Sequence, residues 1–263
     1  MGGIQGRVTL VTGASSGLGK AAALMVGRSG GHVVVSSHNE ERAQLVADQI
    51  TAEGGHASVE VADLLDRDQV LALPGKIVDK YGRIDHVVSS GAGGSPQGQS
   101  FKLFTETEPK DFAGIVEAHW LNKAYLLSAA LEHMIPAGYG KFVNISTDGG
   151  RIPTPNESIF GAAAAGLMMM TRVVSREAGR HGVRVNTVAV GPLADFDIVH
   201  IVTEKQAVAG EIGGKFADKL QRKMVFPAVS DDVARMVNYL LDESGDTITG
   251  QTWSVNSGVS TTP

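Results

Sequence analysis

The sequence predicts an α/β domain built on a doubly wound parallel sheet, and three observations predict it. Short β-branched runs recur along the chain, helix-length segments separate them, and a glycine-rich turn joins the first run directly to the first helix. Strands separated by helix-length segments need crossover connections, which place the strands parallel with helices on both faces.

The first strand is read at 7–12, an apolar run with β-branched residues at Val8, Thr9, Val11 and Thr12. It feeds Gly13-Ala14-Ser15-Ser16-Gly17-Leu18-Gly19-Lys20, which passes without a break into the helical Ala21-Ala22-Ala23-Leu24-Met25-Val26. In such a turn backbone N–H groups come close to a pyrophosphate, and the positive end of the next helix favours its charge. Gly13 is expected to make the tight turn, Gly17 to admit the phosphates, and Gly19 to let helix and strand pack. Ser15, Ser16 and Leu18 complete the loop. Further strands are expected at 32–36, 57–61, 86–89, 141–145, 183–188 and 251–255. With no internal repeat, low-complexity tract or linker, residues 1–263 form a single domain of the Rossmann type.

Composition narrows the function classes. The 263 residues are 43% apolar, enough for a large core, and the net charge of −5 is spread without a basic face, so no nucleic-acid partner is expected. Cysteine is absent, which removes disulfides and thiol nucleophiles. No leader-like segment or membrane-length apolar run is read, Gly2 lacks the pattern for myristoylation, and a soluble cytoplasmic protein is the expectation. Histidines are dispersed without ligand spacing, so no metal site is expected.

From Gly6 to Gly258 the chain resembles the short-chain dehydrogenase/reductase family. Thr12-Gly13 with Gly17-Leu18-Gly19 resembles its cofactor motif, Asp63-Leu64 its adenine-side pair, and Asn144-Ile145-Ser146-Thr147 its active-site strand. The stretches beginning Asn186-Thr187 and ending Gly191-Pro192, and running from Gly250 to Gly258, are similar to its later signatures. The resemblance implies a nicotinamide cofactor held by Gly13, Ser15, Ser16, Gly17, Leu18, Gly19, Asp63, Leu64, Ser90, Gly91, Gly191 and Pro192. At the end of the second strand, a carboxylate would anchor an NAD ribose and repel a 2′-phosphate. This chain has Ser36-Ser37-His38-Asn39 there, so NADP(H) is expected over NAD(H), with Ser37 and His38 at the adenine ribose. Alternatively, His38 and Arg42 are solvated residues that simply open a helix.

The same resemblance implies an Asn-Ser-Tyr-Lys catalytic set, and here the sequence departs from it. The Ser place falls on Thr147, the Tyr place on Phe160, the Lys place on Ala164 and the helix Asn place on His119. Phenylalanine has no proton to exchange, and positioned acid–base catalysis is worth roughly 10²–10⁴ in rate. Three readings stay open. The first is a noncanonical oxidoreductase acting on a hydrophobic small molecule or acyl substrate, with His119, Thr147 and Asp148 as catalytic candidates and Glu157 and Tyr125 behind them. The second is an inactive subunit paired with an active paralogue, and the third is a lyase, isomerase or cyclase using the same pocket. The family commonly pairs through the helix before the active-site strand and the helix bearing the Tyr and Lys places. The small residues and Met168-Met169-Met170 of the latter helix suit a homo-oligomer, dimer or tetramer, or a hetero-oligomer, and equally suit a core stripe. A lid is expected at 193–226, with Leu193, Phe216 and Phe226 as apolar cover and Asp195 and Asp197 near its hinge. Asp195 and Val190 replace the family's Thr and Pro at the nicotinamide end.

Overall fold

A computed structural model describes residues 3–92, 102–195 and 222–259. Seven strands form one parallel sheet in the order β3-β2-β1-β4-β5-β6-β7. They are β1 (Val8–Val11), β2 (His32–Ser37), β3 (His56–Val61), β4 (His86–Ser89), β5 (Gly140–Thr147), β6 (Val183–Val190) and β7 (Thr252–Val255). Each expected strand is present within a few residues. β5 and β6 run further toward their C-terminal ends than their apolar cores suggest, because Ser146 and Thr147 continue the pairing to Ala189 and Val190.

Alternation along the strands divides the core into two faces. Val11, Val33, Val35, Val88, Val143, Ile145 and Val188 face α1 (Gly17–Arg28), α2 (Glu40–Ala52) and the last helix, α7 (Ser230–Leu241). Val8, Leu10, Val34, Val87, Phe142, Val183 and Val185 face α3 (Arg67–Tyr81), α5 (Asn122–Ala137) and α6 (Ser158–Gly179). Tyr125 packs at the edge of this second cluster. Between α4 (Pro109–Val116) and α5 the chain makes a π-helical turn over Glu117–Leu121, which carries His119 and Trp120. Such turns add a residue to the helix and re-aim its side chains. Nothing in the residue pattern announces it.

Two expectations are corrected. At 22 residues α6 is long and apolar enough to cross a membrane, contrary to the reading that no such run exists. In this fold it lies along β6 as a core helix, with Ala163, Ala164, Leu167, Met168, Thr171, Ser175 and Ala178 buried. Its methionines are not one stripe either: Met168 is buried, Met170 borders the core, and Met169 is exposed with Val173. Most of the expected lid, including Phe216 and Asp197, lies outside the described residues. Of its remaining members, Leu193 is buried and Phe226 exposed.

The end of the sheet opposite the site is pinned by charge. Asp85 accepts from Val8 N at 2.8 Å and pairs with Arg7 at 3.0 Å and Arg83 at 2.5 Å. Next to it His86 is wholly buried between Thr9 Oγ1 at 3.3 Å and the Tyr139 hydroxyl at 3.0 Å. Burial holds this imidazole neutral and pushes its pKa down to about 3. A folded pKa below the unfolded value of about 6.5 means the unfolded chain binds the extra proton, so stability is complete above that pH and declines as pH falls toward the folded pKa. Denaturant unfolding at pH 6.5 and pH 5 is therefore expected to differ by about 1.6 kcal/mol per buried imidazole. His86→Phe should flatten that dependence, and an unchanged slope would contradict the neutral buried form.

Candidate active site

The C-terminal edge of the sheet gathers the expected cofactor residues. Thr12 Oγ1 donates to Ser90 O at 2.8 Å and accepts from Ser90 N at 3.1 Å, tying the end of β1 to the end of β4. Gly13 has φ 59°. A β-carbon there would sit 2.9 Å from both Ser90 O and Gly91 Cα. One on Gly91 would meet Leu64 Cδ1 at 3.2 Å, so the adenine-side segment reaches the same corner. One on Gly19 would lie 2.3 Å from Gly13 O, which is why the helix can follow the turn so closely. Ser16 occupies the N-cap of α1 in extended conformation and makes no side-chain bond to the helix start. The first N–H groups of α1 are thus left for another acceptor.

Ser37 Oγ donates to Ser15 Oγ at 2.9 Å and accepts from Asn39 N at 3.2 Å, fixing the end of β2 beside the loop. Asn39 caps α2 through Arg42 N at 2.9 Å, while the His38 and Arg42 side chains are exposed. Asp63 accepts from Leu65 N at 2.9 Å and shapes the turn after β3. Gly191 N donates to Val255 O at 3.0 Å, and Ser257 Oγ donates to Pro192 O at 2.7 Å, so the turn after β6 is held by the C-terminal segment. Asp195 accepts from Ser230 N at 2.9 Å, at the start of α7. A glycine cradle lined by backbone, with an uncapped helix pointing into it, fits a dinucleotide pyrophosphate.

The catalytic candidates fall into different environments. His119 lies against Phe160, ring centroids 4.3 Å apart in an edge contact, so the π-helical turn and α6 do meet. Burial first, and then the Lys123 ammonium, push its pKa down to about 3. Asp148 accepts from Ser254 Oγ at 2.5 Å and Asn256 Nδ2 at 2.7 Å, which commits its carboxylate to β7 and the segment after it. Thr147 Oγ1 accepts from Gly149 N at 3.1 Å and faces Glu157 Oε2 at 3.5 Å. Burial raises the Glu157 pKa to about 7, and the Thr147 hydroxyl works against that rise. Ala164 is buried beside the turn Asp148–Gly150: a β-carbon on Gly150 would sit 2.9 Å from its methyl.

Sequence reasoning missed Lys123. Its Nζ donates to Ser89 O at 3.2 Å and Gly91 O at 3.0 Å, deep under the cofactor cleft, and burial lowers its pKa to about 8. The usable signal was its position one helical turn after His119, in the first turn of a helix whose next residues are mostly apolar. Asn144 was seen only as part of a motif; it is buried on β5, with its amide donating to Thr171 Oγ1 at 3.3 Å.

Comparison with known proteins agrees with this fold. Residues 7–207 match the family described as short chain dehydrogenase. The chain is similar to the 3-oxoacyl-(acyl-carrier-protein) reductase FabG of Rickettsia conorii, 30% identical over 97% of this chain and 98% of that protein. It is also 30% identical to BbsD of Thauera aromatica, a subunit of a hydroxy(phenyl)methyl-succinyl-CoA dehydrogenase, over 97% of both chains. Among solved structures, a short-chain type dehydrogenase/reductase from Mycobacterium ulcerans superposes with TM-score 0.84 at 24% identity, over 97% of this chain and 90% of that one.

The glycine corner makes a stability prediction. Gly6 also has positive φ, 69°, but a β-carbon there meets nothing within 4 Å. Gly6→Ala should cost about 1–2 kcal/mol for the backbone conformation alone. Gly13→Ala adds a backbone collision and should cost more, measured as the difference in denaturant unfolding. Equal losses would show that the β1–β4 corner yields.

Proposed function

The chain belongs to the short chain dehydrogenase family, and from that premise we propose that it binds NADP(H) and works as a noncanonical oxidoreductase on an acyl or other hydrophobic carbonyl substrate. The observation that carries the reading is the backbone-lined seat formed by Thr12, Gly13, Ser90 and Gly91 under the open start of α1. Gly13, Ser15, Ser16, Gly17, Leu18 and Gly19 would hold the pyrophosphate, Asp63 and Leu64 the adenine side, and Ser90, Gly91, Gly191 and Pro192 the nicotinamide half. When bound, the cofactor supplies hydride to an electrophilic carbon. Support for an acyl substrate comes from the reductase and the CoA-thioester dehydrogenase named among the relatives. The reading carries with it a soluble cytoplasmic enzyme working as an oligomer.

The preference for NADP(H) rests on the end of β2, where Ser37 is tied to Ser15 and the exposed His38 and Arg42 are the nearby cationic candidates for a 2′-phosphate. At the reacting end Phe160 offers a ring without a hydroxyl and Ala164 a methyl without a charge. Thr147 then remains to orient the substrate oxygen. One observation favours a second reading, that of a silent subunit: a relative spanning nearly the whole chain is named as a subunit, and Met169 and Val173 stand exposed on α6.

Titration with NADPH and NADH, followed by nucleotide fluorescence, is expected to show binding of both with NADPH the tighter. His38→Ala should weaken NADPH alone, by about 2–5-fold for one exposed charge contact. Failure to bind either nucleotide would remove the oxidoreductase reading and leave the subunit reading. Reinstalling Phe160→Tyr with Ala164→Lys, assayed on 3-oxoacyl thioesters, should raise turnover in a site that merely lost its acid. A site rebuilt around another donor should not gain.

A further inference from the structure

A proton donor is missing from the Tyr place, yet a carboxyl group stands one residue from the helix that carries it. Glu157 occupies the N-cap position of α6 but makes no side-chain bond to that helix; only its backbone oxygen is used, by Gly161 N. Its carboxyl instead turns back over Gly149, where a β-carbon would lie 2.0 Å from Oε2, and faces the Thr147 hydroxyl. The bare α-carbon of Gly149 is what permits this approach. Glu157 and Gly149 both line a pocket of about 440 Å³, together with Pro153, Thr154, Pro155 and Ser158. Glu157 therefore borders an opening and also bonds the hydroxyl at the end of β5.

We propose that Glu157 is the proton reservoir of this site, passing a proton through Thr147 Oγ1 to the substrate oxygen and being refilled from the pocket. The proposal rests on the oxidoreductase reading above. Valence supports the route. Thr147 Oγ1 accepts from Gly149 N and donates to Glu157 Oε2; when the carboxyl is protonated the hydroxyl can turn its own proton toward the substrate oxygen and accept from Glu157 through its second lone pair. A reduced nicotinamide, once bound, would supply hydride to the carbonyl carbon, so that the C=O π pair would become a lone pair on the substrate oxygen. That oxygen takes the Thr147 proton, Thr147 takes the Glu157 proton, and Glu157 is left as carboxylate until water in the pocket reprotonates it. The substrate gains two electrons and two hydrogens, and the cofactor is oxidised by the same two electrons. Glu157 acts through Thr147, so its role is to position and store the proton.

The surrounding charges leave Glu157 alone. Asp148 and Arg151, in the adjoining turn, are committed to Ser254, Asn256 and the Thr252 carbonyl. His119 and Lys123 belong to the π-helical turn and α5, and Arg172 and Arg176 lie further along α6. Among the described residues none of these contributes to the ionisation of Glu157, which burial sets and the Thr147 bond opposes. A carboxyl titrating near neutrality matches the protonation demand of a reservoir at working pH.

The test reads the carboxyl directly. Carbon-13 glutamate labelling of the full chain, with Glu157→Asp and Glu157→Gln identifying the signal, is expected to show Glu157 titrating near pH 7. In Thr147→Val that midpoint should rise, because the bond opposing the shift is gone; Thr147→Ser should restore it. With NADPH and a 3-oxoacyl thioester, Glu157→Gln should lose about 10²-fold in turnover and the pH dependence around 7 while retaining NADPH affinity. A midpoint in the ordinary carboxylate range, near 4.3, overturns the reservoir and leaves the cofactor reading standing. A Thr147→Val midpoint that does not move overturns the relay. Wild-type protein that binds no nicotinamide nucleotide overturns the reading and the relay together, whatever the carboxyl does.

Discussion

The contact of two bare backbones, Gly13 against Gly91, is the constraint on which the site depends. It occurs where the strand order reverses direction, between β1 and β4, so connections leave toward opposite faces and open a crevice above the sheet. Any side chain at either glycine would push the strand ends apart. Thr12 reinforces the contact by exchanging both hydrogen bonds with Ser90, and Lys123 ties the same corner from below through two carbonyls. The glycine turn, the segment after β3 and the segment after β4 meet at this corner. The hydrophobic core explains why the sheet exists, whereas the glycine corner explains why it has a usable edge.

The second constraint is the close seating of the turn Asp148–Gly150 on α6. Gly150 lies on Ala164, Gly161 lies under the Gly149 carbonyl, and Glu157 folds over Gly149. Small residues at all these points let the turn approach the helix far more closely than a chain with side chains there could. One consequence is structural and the other electrostatic. The active-site strand is clamped to the helix, and a carboxyl is drawn out of water against a neutral hydroxyl, which favours its protonated form.

Much of this was legible in the sequence, and the limits have physical causes. Strands could be read because β-branched runs in a buried parallel sheet are continuous, and the β1 turn could be read because glycine is the one residue that permits the approach. The distribution of helix α6 could not: its apolar and small residues satisfy a core stripe, a dimer face and a membrane span equally, and only tertiary packing shows Met168 inside and Met169 outside. The π-helical turn at Glu117–Leu121 left no pattern, since an inserted residue is indistinguishable from an ordinary helical one. Asp148 ranked ahead of Glu157 as a candidate because it adjoins Thr147. In space the order of availability is reversed, as Asp148 turns to Ser254 and Asn256 on a segment more than a hundred residues away.

Burial acts on three ionisable groups around the ends of β4 and β5 and the start of α6: Lys123, His119 and Glu157. Lys123 is buried without a carboxylate partner among the described residues, so burial lowers its pKa to about 8 while its charge acts on what lies near. That charge helps keep His119 neutral through the physiological range, and a neutral imidazole against the Phe160 ring has little tendency to acquire a proton at pH 7. Glu157 receives no such influence and is raised by burial alone. Burial favours the neutral form of both groups, lowering the imidazole and raising the carboxyl, and such opposed shifts are how acid and base roles separate. Burial first, and the lysine second, keep the histidine neutral, which leaves the carboxyl beside Thr147 as the group of the three whose pKa lies near neutrality on the acid side.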